Sequence, residues 1–534
     1  MKLTAEQQQV VKTITGPVLV VAGPGSGKTA TVVARVHYLV QQHQVKPVHI
    51  LVISFTNKSA AEIKHRLADV HPWVGTFHAL AWQILHTTKH LLLEHEQRII
   101  VAQLIQQNPV WNISMRTALQ TLTRERADRS RTPSALTKAY QAVLAEQSAI
   151  DFDEVLLQAV ALLEHNADLR QHYQTLWQYV MVDEMQDTNP IQNELLGLFI
   201  NQSANLCVIG DPDQAIYGFR GATIDHLLNF SKQYPASQQL TLSNNYRSSA
   251  TIVQAAAGLI AHNQDRFIQH SKAIQPAGSL ITVIQPAAIT ATIEQLIGGS
   301  SHQQIDQHHQ LGNVDQSYSF GDMAIIVRFN YLGRQLQKKL TAAGLPHQLV
   351  GETNFFERLE IRTILEVLEK NIITDSSLSQ QLQQCVTAEQ AHYSIVQQQR
   401  LEQLLTLAMS YNDLPADVAY QQLHDQAALS RNEDYWNQQR DVITIITAHA
   451  AKGLEWPVVF IAGVEAGVFP AEPTEAERRL FYVAMTRAQQ QLYLVSKADR
   501  PSIFLSELPD ACLQHQLDQG SKKTKPTKPQ LRLL

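Results

Sequence analysis

Val18-Leu-Val-Val-Ala22-Gly23-Pro24-Gly25-Ser26-Gly27-Lys28-Thr29 is the stretch that decides the fold. Val18 to Ala22 is a continuous apolar run ahead of a glycine cluster, the pattern of a short buried strand. Gly23, Gly25 and Gly27 let the backbone turn tightly and aim successive N–H groups at one point. Lys28 and Thr29 open a helix reaching about Tyr38, and its N-terminal dipole favours anions. Strand, loop and helix in this order make a phosphate cradle. Lys28 serves the β- and γ-phosphates, and the Thr29 hydroxyl serves Mg²⁺. The strict pattern has Gly where this chain has Ala22, so the motif is an Ala-x-x-Gly-x-Gly-Lys-Thr variant.

The bulk properties limit the remaining possibilities. A chain of 534 residues is too long for one core. An apolar content of 44% and a charged content of 17% suit a soluble globular protein. The net charge of −5 means that a polyanion must be held by a local basic channel. Cys207, Cys385 and Cys512 lie far apart and form no CxxC pair, which argues against a disulfide framework, a cysteine-held zinc site or an iron–sulfur cluster and suits a reducing, cytoplasmic setting. No apolar leader opens the chain, and no uncharged run is long enough to cross a bilayer. His302, His308 and His309 fall in a Gln/Ser-rich stretch and read as solvated.

Outward from the cradle, Thr4 and Gln7 have the spacing of a capping box. Ile50 to Phe55 is a second buried strand, followed by Thr56-Asn57-Lys58-Ser59 and a helix. It is a second βα unit, so the fold is α/β with a parallel sheet. Gly75-Thr76-Phe77-His78 opens another helix. Val180-Met-Val-Asp183-Glu184 is a strand ending in two acids. Beside a phosphate loop, Asp183 is placed for Mg²⁺ and Glu184 for the attacking water. Leu206 to Asp211 is a fourth buried strand and leads into Pro212-Asp213-Gln214-Ala-Ile-Tyr217-Gly-Phe219-Arg220. All four end in polar loops, the edge where an open α/β sheet binds ligand.

Read together, the blocks SFTNKSAAEI, GTFHALA, VDEMQDTNPIQ, GDPDQAIYGFRGA and NYRSS resemble those of the superfamily 1A helicases of the UvrD/Rep/PcrA type. FFERLEI, TAHAAKGLEWPVVFIAGVEAGVFP and AERRLFYVAMTRAQ extend the resemblance through the second half. It implies two RecA-like lobes, 1A and 2A, with helical insertions 1B and 2B. It also implies ATP and Mg²⁺ as cofactors. Gln7 would then read the adenine edge and Tyr246 stack on its face. Glu455 would hold the ribose and Gln214 sense the γ-phosphate. Arg247 and Arg487 would flank that phosphate, Arg487 from the second lobe. Phe55, Phe77, His78, Tyr217, Phe219 and His449 would line the path of a single DNA strand, with core packing the alternative for Phe55. Thr56, Asn57, Arg220 and Thr447 would contact phosphates. Relatives usually carry Trp where this chain has Phe219, and often Arg where it has Ala30.

On this reading, lobe 1A comprises residues 1–87 and 177–255, and 1B residues 88–176. Lobe 2A comprises residues 256–370 and 442–505. Its expected strands are Leu280–Ile284, Met323–Arg328, His347–Val350, Val442–Ile446, Val458–Ala462 and Gln491–Val495. Residues 371–441 stand where relatives carry a large 2B subdomain, and they are too few to form one. The arginines from Arg116 to Arg131 suit either a DNA contact or a solvated helix face. Residues 506–534 read as a flexible basic tail. The resemblance implies an ATP-dependent 3′→5′ helicase acting on single strands and their junctions with duplex. The shortened 2B leaves an alternative: a translocase subunit of a larger repair or phage-defence complex, working with a protein partner such as a nuclease.

Overall fold

The computed structural model describes residues 3–87, 89–200, 205–267, 271–298, 317–351, 355–373, 376–389, 393–430 and 441–515. The segment with His302, His308 and His309 and the basic tail beyond 515 lie outside the described residues.

Six parallel strands form the first sheet. They are β1 (Val18–Ala22), β2 (Ile50–Ile53), β3 (Trp73–Gly75), β4 (Tyr179–Val182), β5 (Asn205–Gly210) and β6 (Gln238–Leu242), in the order β3-β2-β4-β5-β1-β6. Helices cover both faces, which is why the central strands are continuous apolar runs. Val18 and Val20 face a cluster with Val32, Val36 and Leu39 of the helix Lys28–His43. Leu19 and Val21 face the opposite cluster, with Leu80, Ile84 and Leu195. β3 and β6 were not expected from the sequence. They are edge strands with partly exposed residues, so they lack the apolar run that betrays a buried strand.

The second sheet is also parallel throughout. Its strands are β7 (Ile281–Ile284), β8 (Met323–Val327), β9 (His347–Leu349), β10 (Ile443–Thr447), β11 (Trp456–Ala462), β12 (Ala488–Val495) and β13 (Leu513–His515), in the order β9-β10-β8-β11-β12-β7-β13. Six were legible in the sequence; the edge strand β13 was not. The architecture is thus α/β, with two parallel-sheet lobes.

Two helical segments interrupt the lobes. Between β3 and β4, the helices Glu94–Gln107, Met115–Arg126 and Ala135–Glu146 bury Val101, Leu122 and Tyr140 together. The following helices, Phe152–His165 and Ala167–Leu176, pack instead into the core of the first lobe through Val155, Leu163 and Tyr173. The arginines here are spent largely on internal carboxylates. Arg126 is buried and forks onto Asp151 and Asp153, while Arg129 pairs with Glu164 and Glu194.

Between β9 and β10, the helices Leu359–Lys370, Leu378–Glu389, Ile395–Met409 and Ala416–Ala428 gather around Ile364, Leu382, Leu401, Leu404 and Leu423. This small bundle belongs in sequence to the second lobe but leans on the first. Asn57 Nδ2 donates to the Leu429 carbonyl at 3.0 Å, and Trp82 Nε1 to Asp425 at 3.0 Å. Among the described residues, no helix is long and apolar enough to cross a membrane.

Candidate functional site

Strand order assembles the site. β4, β5 and β1 are adjacent and parallel, so the loops at their carboxyl ends share one edge. Lys28 follows β1, Asp183 and Glu184 follow β4, and Asp211 to Gln214 follow β5.

The loop after β1 is closed by its own contacts. Ser26 Oγ donates to the Gly23 carbonyl at 2.7 Å. The capping box at Thr4 forms as expected, and Gln7 also turns its Nε2 to the Ser26 carbonyl at 3.2 Å. Asn245 braces the loop from outside: its Nδ2 donates to the Pro24 carbonyl at 2.8 Å, and its Oδ1 accepts from the N–H groups of Arg247 and Ser248. Gly25 has φ +67°, and a Cβ there would stand 2.6 Å from Arg247 Cβ. Gly25→Ala is therefore expected to cost about 1–3 kcal/mol of stability from the left-handed backbone alone. It is also expected to weaken nucleotide binding at least tenfold by displacing Arg247. Thermal unfolding and titration with a fluorescent ATP analogue would read both effects.

Lys28 Nζ lies 3.2 Å from Glu184 Oε1. Glu184 has φ +58° and ψ 43°, the left-handed region that non-glycine residues rarely occupy. Such strain clusters at working sites. The two neighbouring acids are pulled apart electrostatically. Burial and the adjacent Glu184 push the Asp183 carboxyl up. Burial would raise Glu184 too, but Lys28 and Lys452 outweigh it and hold this carboxylate well below its usual range. A buried acid that resists ionisation beside an ionised one suits a divalent cation, so the donor set of Thr29 and Asp183 fits Mg²⁺. Gln186 bonds to Glu184, and its Oε1 accepts from the Asp211 N–H at 3.0 Å. Gln214 Nε2 donates to Asp211 Oδ2 at 2.6 Å.

The second lobe reaches this edge at two points. Arg247, on the segment joining the lobes, pairs with Glu455 and donates to the Thr486 carbonyl at 3.3 Å. Lys452 pairs with Asp187, lies 3.7 Å from Glu184 Oε2 and donates to the Gln214 carbonyl at 2.7 Å. Sequence reasoning passed over Lys452, although it is the sole cation of the TAHAAKGLEWP block. Arg487 is 2% exposed, and its guanidinium is bonded within its own lobe to the Val483 and Leu454 carbonyls and Thr486 Oγ1. Burial and the neighbouring Arg247 lower it to about 9, and Glu184 and Glu455 also act on it. Tyr246 is half-exposed, its hydroxyl accepting from Asn244 Nδ2 at 3.1 Å. Glu455 faces Arg247 and Gln489.

A second cluster runs along the same face. Phe55 and Tyr217 lie 4.9 Å apart between ring centroids, Tyr217 and Phe219 6.1 Å, and Phe219 and His449 of the second lobe 5.2 Å. The Arg220 guanidinium lies 5.5 Å from the Tyr217 ring and 5.4 Å from that of Phe219. Phe219 is 48% exposed, whereas Phe55 and Tyr217 are buried. His449 is pushed down to about 3 by burial and by Arg328, Arg220 and Lys452, so it is neutral at physiological pH. Phe55, His78 and Arg220 also line a cavity of about 310 Å³ with Asp187, Phe356 and Ala428. His78 stacks on Phe152 at 3.6 Å. Thr56 caps its helix by accepting from the Ser59 N–H, and Thr447 Oγ1 accepts from the Ala450 N–H. Phe77 corrects the expectation from sequence: it is 2% exposed and packs with Leu80, Ala81 and Ile84, so its ring is core and offers no stacking face.

Comparison with known proteins matches this arrangement to one family. The UvrD/REP helicase N-terminal domain matches residues 3–117 and 96–235. The UvrD-like helicase C-terminal domain matches residues 240–381 and 368–499. An ATP-dependent DNA helicase PcrA from Staphylococcus epidermidis ATCC 12228 is 26% identical over 98% of this chain and 88% of its own length. The protein of the same name from Staphylococcus aureus Mu50 is similar to the same degree. A solved C-terminal domain of a possible DNA helicase from Lactobacillus aligns with 51% of this chain and 98% of its own, at 14% identity and a TM-score of 0.25, which is too low to bear on the fold.

Proposed function

Since the chain belongs to the UvrD-like helicase family, we propose that it hydrolyses ATP to move 3′→5′ along single-stranded DNA and to open duplex at a junction. One observation carries the proposal: a phosphate loop, an ionised strand-end acid and cations from both lobes converge on one edge, with a row of aromatic rings beside them. Gln7 and Tyr246 would hold the adenine, and Lys28, Arg247 and Arg487 the phosphate charge. Thr29 and Asp183 would hold Mg²⁺, which when bound neutralises charge on the phosphates. Glu184, kept ionised by Lys28 and Lys452, would take the proton from the attacking water. Phe219 and His449 would grip bases from opposite lobes, since aromatic faces stack without sequence preference at about 1–3 kcal/mol per base. The divisions at residues 88, 177, 256, 371 and 442 are offered on the same footing, as is a cytoplasmic setting.

A second reading is favoured by the bundle between residues 359 and 428. It is small and leans on the first lobe, so the chain would translocate but depend on a partner, such as a nuclease or repair factor, to separate strands. Strand displacement by the protein alone on 3′- and 5′-tailed duplexes distinguishes the two. Displacement only with a 3′ tail is expected. Displacement only with a 5′ tail would overturn the polarity. ATPase stimulated by single strands without displacement would favour the partner-dependent form, and stimulation by RNA over DNA would refute both.

A further inference from the structure

Three side chains that take no part in the cleft or the aromatic row meet where the helical segments touch. His90 lies in the two-residue strand His90–Leu91, which pairs with Ala149–Ile150. Glu96 stands in the first turn of the helix Glu94–Gln107. His424 comes from the other segment, on the helix Ala416–Ala428. One donor atom from each lies within 4.8 Å of the other two. His90 Nε2 is 2.9 Å from Glu96 Oε1, and the two imidazole rings lie 5.3 Å apart between centroids. His424 Nδ1 is buried without a hydrogen-bond partner among the described residues; the Asp425 carboxylate, at 3.8 Å, is too far to serve. A buried polar atom left in this state calls for an explanation, and a bound cation is one.

We propose that His90, Glu96 and His424 bind a Zn²⁺ ion that clips the two inserted helical segments together. Two imidazoles and one carboxylate are a donor set that Zn²⁺ accepts, with water completing a tetrahedron. At bond lengths of about 2.0–2.2 Å, the donors around such an ion stand about 3.4 Å apart. His90 and Glu96 are already closer than this, and the widest pair needs to draw in by about 1.4 Å at most, within the swing of a side chain.

The surroundings are prepared in the way that metal ligands usually are. Glu96 Oε2 accepts from the Leu93 N–H at 2.7 Å, which fixes the carboxylate. Asp425, beside His424, is held by Trp82 Nε1. Glu369 and Asp425 add negative potential at His90. Other polar contacts in this neighbourhood include Trp82 to Asp425, Asn57 to Leu429 and His95 to Glu357. A coordinated ion would be stronger than any of them. It would fix Ala427 and Ala428, which wall the cavity at Phe55 and His78.

The test uses the untagged full-length chain, stripped with chelator and titrated with Co²⁺, which reports its own coordination by visible absorption, and then with Zn²⁺ in competition. One saturable equivalent displaced by Zn²⁺ is expected. His90→Asn and His424→Gln should each weaken it at least tenfold and abolish the rise in melting temperature that Zn²⁺ gives the parent. The chain has 22 histidines, so background binding that is equal in parent and variants is subtracted. His90 is exposed, so His90→Asn is expected to fold even if His424→Gln does not. No saturable Co²⁺ signal in the parent, or a His90→Asn variant that binds like the parent, would overturn the proposal. The outcome does not depend on whether the chain unwinds DNA.

Discussion

Glu184→Gln is expected to lower DNA-stimulated ATP turnover by about 10²–10⁴-fold, the range that a positioned general base contributes, while leaving nucleotide affinity within a few-fold. The carboxylate is strongly held in its ionised form, with two lysines outweighing its burial. Lys28 stands 3.2 Å away, and Lys452 reaches the other oxygen from the opposite lobe. The left-handed backbone at φ +58° fixes where the side chain points. Glutamine has the same shape and keeps a hydrogen-bonding oxygen, so the loop should survive, and only proton acceptance is lost. Single-turnover hydrolysis alongside binding of a fluorescent nucleotide separates the two quantities. Turnover within threefold of the parent would remove Glu184 from the chemistry.

Arg247→Ala should rank beside it, with a fall of about 10³-fold or more in turnover, as for cations that meet charge developing on a transferred phosphoryl group. Arg247 is a cleaner probe than Arg487. The Arg487 guanidinium is buried on two carbonyls and a hydroxyl of its own lobe, so its removal would strand those acceptors and destabilise the fold as well. Arg247 is bonded chiefly to Glu455, an exposed partner, and its Cβ sits against the phosphate loop. Arg247→Lys should recover only part of the loss, because an ammonium lacks the planar fork. Full activity in Arg247→Ala would remove the residue from the chemistry, and a lowered melting temperature alongside it would mean that Arg247 only staples the lobes.

Much of this was legible because the chemistry sits at the ends of central parallel strands, and such strands announce themselves as unbroken apolar runs. β1, β2, β4 and β5 could be read in this way; β3, β6 and β13 could not, since these edge strands are partly solvated and lack an unbroken buried run, although β9, also at an edge, was legible. The order of strands, which alone brings Lys28 beside Glu184, is a tertiary fact with no local signature. The same holds for Arg126: nothing near it in sequence foretold that Asp151 and Asp153 would claim it. Phe77 is different. Phe77, Leu80, Ala81 and Ile84 follow the i, i+3, i+4, i+7 spacing of a buried helix face, so the signal for core packing was present and the motif outweighed it.

Lys452 has a consequence for how fuel and track communicate. Its ammonium rests against Glu184, Asp187 and the Gln214 carbonyl, yet it also lies 5.5 Å from the centre of the Tyr217 ring. One side chain therefore touches both the acids and the aromatic row, and on the proposed function no long relay of residues is needed to join them. On the proposed strand path, a base that displaced this ring would alter the field on the acids through that one ammonium. Linkage then demands the reverse with equal free energy: whatever polymer binding does to nucleotide affinity, nucleotide must do to polymer affinity.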